Sequence, residues 1–171
     1  LGLAMLMGAG VGFLNGFCSI KIDLPPMIVT MAISNVVTRV GYVLTQGTPS
    51  GWVAPSFRDS VIGKIFGVIP SLTLYALIVF PLVFFLLNRS RFGKQLYLMG
   101  NNPTAATLAG IKVNKVRVLM YVFSGMLSCF AGMMGAGYMT TARAQIFDEY
   151  AFTSLVAVIV GGTAFTGGIG S

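Results

Sequence analysis

Four stretches of this chain run for twenty residues or more without a charged side chain: Leu1 to Ile20, Ile65 to Asn88, Val118 to Ala142 and Tyr150 to Ser171. A helix needs ~20 apolar residues, about 30 Å of rise, to cross the hydrocarbon core of a bilayer. Only 9% of the residues are charged, where soluble domains carry roughly 25%. The expectation is all-α: a polytopic transmembrane helical bundle. The apolar runs are also dense in Gly, Asn, Ser and Thr, residues that suit helices packed against one another better than a lone lipid anchor.

The net charge of +7 would suggest nucleic acid in a soluble protein, but six of the eleven basic residues fall in one connector between two apolar runs. These are Arg89, Arg91, Lys94, Lys112, Lys115 and Arg117. Cytoplasmic loops of membrane proteins collect Lys and Arg, so the loop 89–117 is expected inside the cell and no nucleic-acid partner is implied. Parity then orders the rest. A span at 69–87 runs inward and one at 118–138 runs outward. A span at 26–44 runs outward, leaving Lys21 and Asp23 inside and Gln46 to Phe66 outside. That outer segment reads as a loop, since it holds GTPSG and Pro55-Ser56 with little apolar periodicity, and Trp52 reads as an interfacial anchor.

The first span, 1–17, carries Gly2, Gly8, Gly10, Gly12 and Gly16, which let helix backbones approach closely. GAGVG at Gly8 to Gly12 is a poor phosphate cradle, with no strand before it and no basic residue to complete it. A partial span at 151–171 starts with ten clean apolar residues, about 15 Å of helix, before GGTAFTGG at Gly161 to Gly168. Either that helix continues through the glycines, or it stops midway as a broken element lining a cavity. The start at Leu1 and the glycine-rich end suggest an internal fragment, and no secretory signal peptide is expected.

Catalysis is not supported. There is no His, and the four carboxylates Asp23, Asp59, Asp148 and Glu149 lie at or beyond the span ends. Asp148 and Glu149 are sequence neighbours that do not share a helix face, and they read as a wet outer loop. Cys18 and Cys129 lack CxxC spacing and read as buried thiols, with no metal site implied. With no GxxxxGK[ST] in the chain, ATP cannot be held here by a Walker A loop, so no cofactor is expected on this chain and an ATP-driven role needs a partner. Arg39 is the one charge inside a span. It either snorkels outward, being about two turns from Gln46, or lines a pathway.

Within the basic loop, NPTAATLAG at Asn102 to Gly110 reads as a short helix. Asn102 is an N-cap, Pro103 the first helical residue and Gly110 a stop. Such a helix is either an amphipathic connector or a docking surface whose small Ala105 and Ala106 let it enter a groove.

Five segments in order, LNGFCSIKIDLPPMIVTMA at Leu14, TRVGYVLTQGTP at Thr38, RSRFGKQLYLMGNNPTAATLAGI at Arg89, YVFSGMLSCFAG at Tyr121 and GGTAFTGGIGS at Gly161, resemble the permeases of ABC importers for ribose and related monosaccharides. The resemblance covers nearly the whole chain and implies one transmembrane permease domain over 1–171 in the plasma (inner) membrane. It makes TAATLAG similar to the coupling-helix motif that docks on an ATPase subunit, and so implies coupling roles for Asn102, Thr104, Ala105, Ala106 and Gly110. Thr104 stands where glutamate is usual, Ala151 where many relatives have glutamate, and Ile169 where arginine is frequent. The implied mechanism is alternating access by two permease subunits, with an extracytoplasmic substrate-binding protein outside and ATP held on the ATPase inside. A polar, uncharged pathway suits a sugar. Asn15, Thr30, Asn35, Thr38, Arg39, Gly161, Gly162 and Thr163 are its candidates, with packing hydrogen bonds as the other use of the polar ones. Competing classes are a permease of the same superfamily for nucleosides or branched-chain amino acids, an ion-coupled secondary transporter, and a non-transporting assembly subunit.

Overall fold

The computed structural model describes residues 2–22, 25–48, 53–65, 69–140 and 147–163. Asp23, Trp52, Phe66 and Ile169, singled out above, lie outside them. Helices α1 (Gly2–Lys21), α2 (Pro26–Leu44), α3 (Pro55–Ile62), α4 (Ser71–Arg89), α5 (Arg91–Asn101), α6 (Pro103–Leu108), α7 (Val113–Met139) and α8 (Asp148–Val160) account for most of the described residues, with a two-residue antiparallel pair, β1 (Lys64–Ile65) and β2 (Ile69–Pro70), before α4.

Among the described residues, α1, α2, α4 and α7 are long and apolar enough to cross a membrane. At 1.5 Å per residue the first three reach about 28–30 Å and α7 about 40 Å. The bundle is membrane-spanning, and its outer surface agrees. Leu3, Leu44 and Phe80 each expose three quarters or more of their area, which water would penalise and lipid does not. Pro81 sits inside α4, a position tolerated in lipid because neighbouring helices and local adjustments satisfy the freed backbone group.

Helix α7 starts five residues before the span expected at 118, taking Lys115 and Arg117 onto the helix. Neither breaks a helix, and both long side chains can lie along it with their charges in water. Ile69 and Pro70 pair with β1 instead of opening α4. The outer segment is also more ordered than a loop reading allows. Pro55 starts α3 with its preset φ, and α3 buries Val61 to 1% exposure.

The chain divides into two compact units, Leu1–Ile78 with Val118–Ile146, and Val79–Arg117 with Phe147–Ser171. In the first, α2 packs alongside α1, and α1 meets α7 backbone to backbone. A Cβ on Gly8 would stand 2.6 Å from the Cβ of Cys129 and from the carbonyl oxygen of Gly125, and one on Gly12 would overlap the backbone of Tyr121 and Val122. The contact is reciprocal, because a Cβ on Gly125 would meet the Gly8 carbonyl and lie 3.1 Å from Gly12 Cα. Gly16 extends the stripe, 3.0 Å from Val118 Cα by the same construction. Without a hydrophobic drive between helices in lipid, such close approach maximises dispersion and backbone contact. Cys129 is a free, half-buried thiol whose Sγ donates to the Ala4 carbonyl at 2.9 Å. Farther along α7, a Cβ on Gly137 would stand 2.9 Å from Phe57 and from Val61, so α3 is seated on a glycine. Tyr75 meets Phe130 edge to face at 6.4 Å.

Candidate functional site

The second unit contains the basic connector. Ser90 separates α4 from α5: its hydroxyl donates to the Leu86 carbonyl, and the same oxygen accepts from the Gly93 amide at 3.1 Å. Gly93 is buried where a Cβ would overlap the Leu87 backbone, so the chain folds tightly over the last turn of α4. Helix α5 ends at Asn101, and Asn102 takes an extended conformation, φ −154° and ψ 100°. Its Oδ1 accepts from the amides of Thr104 and Ala105 at 3.1 and 3.0 Å. Two amides that open α6 without a helical acceptor are thereby satisfied, and Pro103 at the first position has no amide to satisfy.

The stop is equally specific. Gly110 has φ +81°, its amide donates to the Thr107 carbonyl, and the Ile111 amide donates to the Ala106 carbonyl, each at 3.0 Å. This is the paired closure of a Schellman motif, with glycine in the left-handed position. It turns Ile111 back toward Ala106. Met99, Ala106 and Val116 form a small buried core, with Phe92, Leu96, Ile111 and Val113 packed around it. The six-residue α6 is far too short to be stable alone. It is held by its two caps and this core.

What α6 presents outward follows from that. Ala106 is 3% exposed, so it supports the helix from below and is not itself available to a partner. Thr104 and Ala105 are exposed, and Leu108 is 87% exposed. Sequence reasoning passed over Leu108. The signal available to it was a large apolar residue closing a short helix whose other members are small. Beside the C-terminal end of α6, a cavity of about 440 Å³ is lined by Thr107, Gly110, Ile111, Lys112, Val113, Asn114 and Lys115. The loop 89–117 holds six cations and no carboxylate. Among the described residues none of the six forms an ion pair, so the field of the elbow is positive and uncompensated from within.

The pathway candidates separate into two groups. Asn15, Thr30, Asn35, Thr38 and Arg39 lie on α1 and α2 in the first unit. Thr30 Oγ1 donates to the carbonyls of Pro26 and Met27 at 3.0 and 3.1 Å, and Asn35 Nδ2 donates to that of Met31 at 3.0 Å. Thr38 is half-buried, and Arg39 is exposed without an ion pair to any described residue. Gly161, Gly162 and Thr163 belong to the second unit and end α8. Gly162 has φ +91°, its amide donates to Ile159 and that of Thr163 to Val158, a second Schellman closure. Thr163 Oγ1 also donates to the Val158 carbonyl at 2.7 Å. Helix α8 ends at Val160 after 13 residues, ahead of Gly161 and Gly162, and the rest of GGTAFTGG lies outside the described residues.

Residues 1–171 match the family described as "Branched-chain amino acid transport system / permease component". The chain belongs to that family. It is a membrane-spanning permease component of the superfamily that holds the sugar ABC importers, a family of transport permeases and not of enzymes. Its long apolar helices make it a multi-pass protein of the plasma (inner) membrane. The permease is similar to the galactose/methyl galactoside import permease of Haemophilus influenzae, 31% identical over 96% of this chain and 51% of that protein. It is 30% identical to the ribose import permease of Bacillus subtilis, over 91% of this chain and 49% of the relative. With the L-arabinose transport system permease of Escherichia coli it shares 33% identity over 91% of this chain and 47% of the relative. The chain spans about half the length of the curated relatives it matches. No solved structure matches it.

Proposed function

We propose that this permease forms part of the membrane pathway of an ATP-driven importer for a sugar or sugar-like solute, and that the α5–α6 elbow is where a separate ATPase grips it. The observation that carries the reading is α6 itself. It is a six-residue helix fixed by Asn102 and Gly110 and braced by Met99, Ala106 and Val116, with Leu108 standing outward. A rigid, apolar-tipped projection transmits a push, and a flexible loop does not. Thr104, Ala105 and Leu108 are the contact residues in this reading, while Asn102, Ala106 and Gly110 set their position.

The elbow faces the cytoplasm because its six cations resist transfer across the membrane. A second permease subunit encloses the route with this one, and an extracytoplasmic binding protein delivers the solute. ATP closes the two ATPase copies against the elbows, and that closure biases a two-state bundle between outward and inward access. Sugars offer hydroxyls and no charge, in keeping with the neutral polar residues Asn15, Thr30, Asn35 and Thr38 on α1 and α2. The family description favours a second solute class, a branched-chain amino acid.

The full-length permease, copurified with its ATPase and reconstituted in proteoliposomes, tests both halves. Uptake of labelled ribose, galactose, arabinose or leucine on addition of ATP is expected for one class only. Ala105→Trp and Leu108→Asp are expected to abolish copurification of the ATPase without lowering the melting temperature of the permease. Uptake driven by a proton or sodium gradient with no ATPase present would refute the reading. A non-transporting assembly role would stand if no solute were taken up.

A further inference from the structure

On α1, Gly8, Gly12, Gly16 and Ser19 follow one another at three or four residues, with Asn15 three after Gly12 and four before Ser19, so all five lie along one side of the helix. The three glycines are buried, and two of them lie against the α7 backbone so closely that neither could carry a Cβ without displacing it. The polar members behave differently. Ser19 is 3% exposed, and its Oγ has no hydrogen-bond partner among the described residues. The Oδ1 of Asn15, one turn earlier, is likewise sealed and without a partner among the described residues. Thr30 Oγ1 and Asn35 Nδ2 on α2, by contrast, donate to carbonyls of their own helix.

A sealed polar oxygen without a partner favours any arrangement that supplies one. Two of them, adjacent on the face that carries the glycine seam, bias that face toward opening. Glycine seams hold by close contact alone, so once parted they leave a smooth wall that does not obstruct a solute. No charge lies on α1 between Gly2 and Ile20, so the wall offers an amide oxygen and a hydroxyl, which suit water and hydroxyl groups better than a carboxylate or an ammonium group.

We propose that the α1 face bearing Asn15 and Ser19 is one wall of the solute route, sealed against the bundle in this structure and wetted in the alternate state of the transport cycle. The proposal rests on the importer reading above and adds Ser19 to the route. It also places the moving seam at the α1 stripe and not on α2.

The test uses the full-length permease assembled with its ATPase in lipid nanodiscs, with Cys18→Ala and Cys129→Ala as background and Ser19→Cys introduced. ATP-driven uptake by the complex that keeps Ser19, with no cysteine introduced, is measured first in proteoliposomes. Its absence overturns the importer reading and this proposal together. With uptake established, the rate of modification by a charged methanethiosulfonate reagent is compared between nucleotide-free and vanadate-trapped complexes. Ser19→Cys is expected to react at least tenfold faster in one state than in the other. Phe13→Cys, on an exposed part of α1, is expected to show no such difference. A Ser19→Cys complex that transports yet stays unreactive in both states overturns the proposal alone. Ser19→Ala adds an independent readout. Removing an unpartnered hydroxyl is expected to raise the melting temperature of the sealed state and slow turnover, whereas a fall in melting temperature would mean that the hydroxyl had a partner and would overturn the proposal.

Discussion

Gly110 isolates a single physical term. Its φ of +81° lies in the left-handed region, and a Cβ built there would meet nothing within 4 Å. A substitution therefore costs backbone strain and no steric clash. For an L-residue with a Cβ that strain is roughly 1–2 kcal/mol, which shifts the balance between the closed and frayed elbow by about 5- to 30-fold. Asparagine tolerates this conformation far better than alanine. A β-branched residue tolerates it worst. The expected order of damage is Gly110→Asn, then Gly110→Ala, then Gly110→Val. The reporter is close at hand, since the Ile111 amide donates to the Ala106 carbonyl only while the closure is intact. Hydrogen–deuterium exchange of a peptide covering residues 103–113 in the purified permease should accelerate about 5- to 30-fold for the alanine variant, and only slightly for the asparagine one. Retention of the ATPase should fall in the same order. Equal protection in all three variants would refute the argument, because α6 would then be held by something other than its C-terminal turn.

Asn102→Ala removes the acceptor for two amides and is expected to cost about 1 kcal/mol, seen as faster exchange at Thr104 and Ala105 with no change in α5. The glycine stripe predicts opposite signs at neighbouring positions. Gly10 has nothing within 4 Å of a built Cβ, whereas Gly12 meets the Tyr121 backbone. Gly10→Ala should therefore stabilise the permease by up to ~1 kcal/mol of helix propensity and Gly12→Ala should destabilise it by about 1–3 kcal/mol, so the melting temperature rises in the first and falls in the second. Lys94→Cys is expected to react with an impermeant thiol reagent in inside-out vesicles and not in intact cells; labelling of intact cells would reverse the whole orientation.

Long-period features of the chain were legible from the start, and short-range ones less so. Runs of twenty apolar residues fixed the helical class because only intrahelical hydrogen bonding satisfies a backbone in lipid. The caps of α6 were legible too, since Asn, Pro and Gly carry backbone preferences that act within three residues. Helix α3 was missed because its signal is tertiary: Pro55 and Ser56 read as turn formers, and only the space above Gly137 makes a helix there worth burying. Ala105 and Ala106 looked interchangeable in sequence, but the Schellman turn sends one into the local core and the other outward. Nor can any pattern of residue types announce that Ser19 finds no partner among the described residues, because that depends on what the opposing helix brings.

Helix α8 carries the most consequential of these short-range effects. Asp148 and Glu149 occupy its first turn, where the positive end of the helix dipole stabilises them and water solvates them. From an aqueous edge, its 13 residues reach about 20 Å, short of the ~30 Å hydrocarbon core. A helix that ends at such depth exposes carbonyls that lipid cannot satisfy. Here the carbonyls of Ala157, Val158 and Ile159 are taken by the amides of Gly161, Thr163 and Gly162, and Val158 accepts from the Thr163 hydroxyl as well. The glycines and the threonine thus let a helix about two thirds of that length stop without leaving those three acceptors bare. Thr163→Val would remove the hydroxyl bond and keep the volume. If the end of α8 lies in the membrane interior, that change should slow uptake while leaving the stability of α6 untouched, and unchanged transport would place the end of α8 in water.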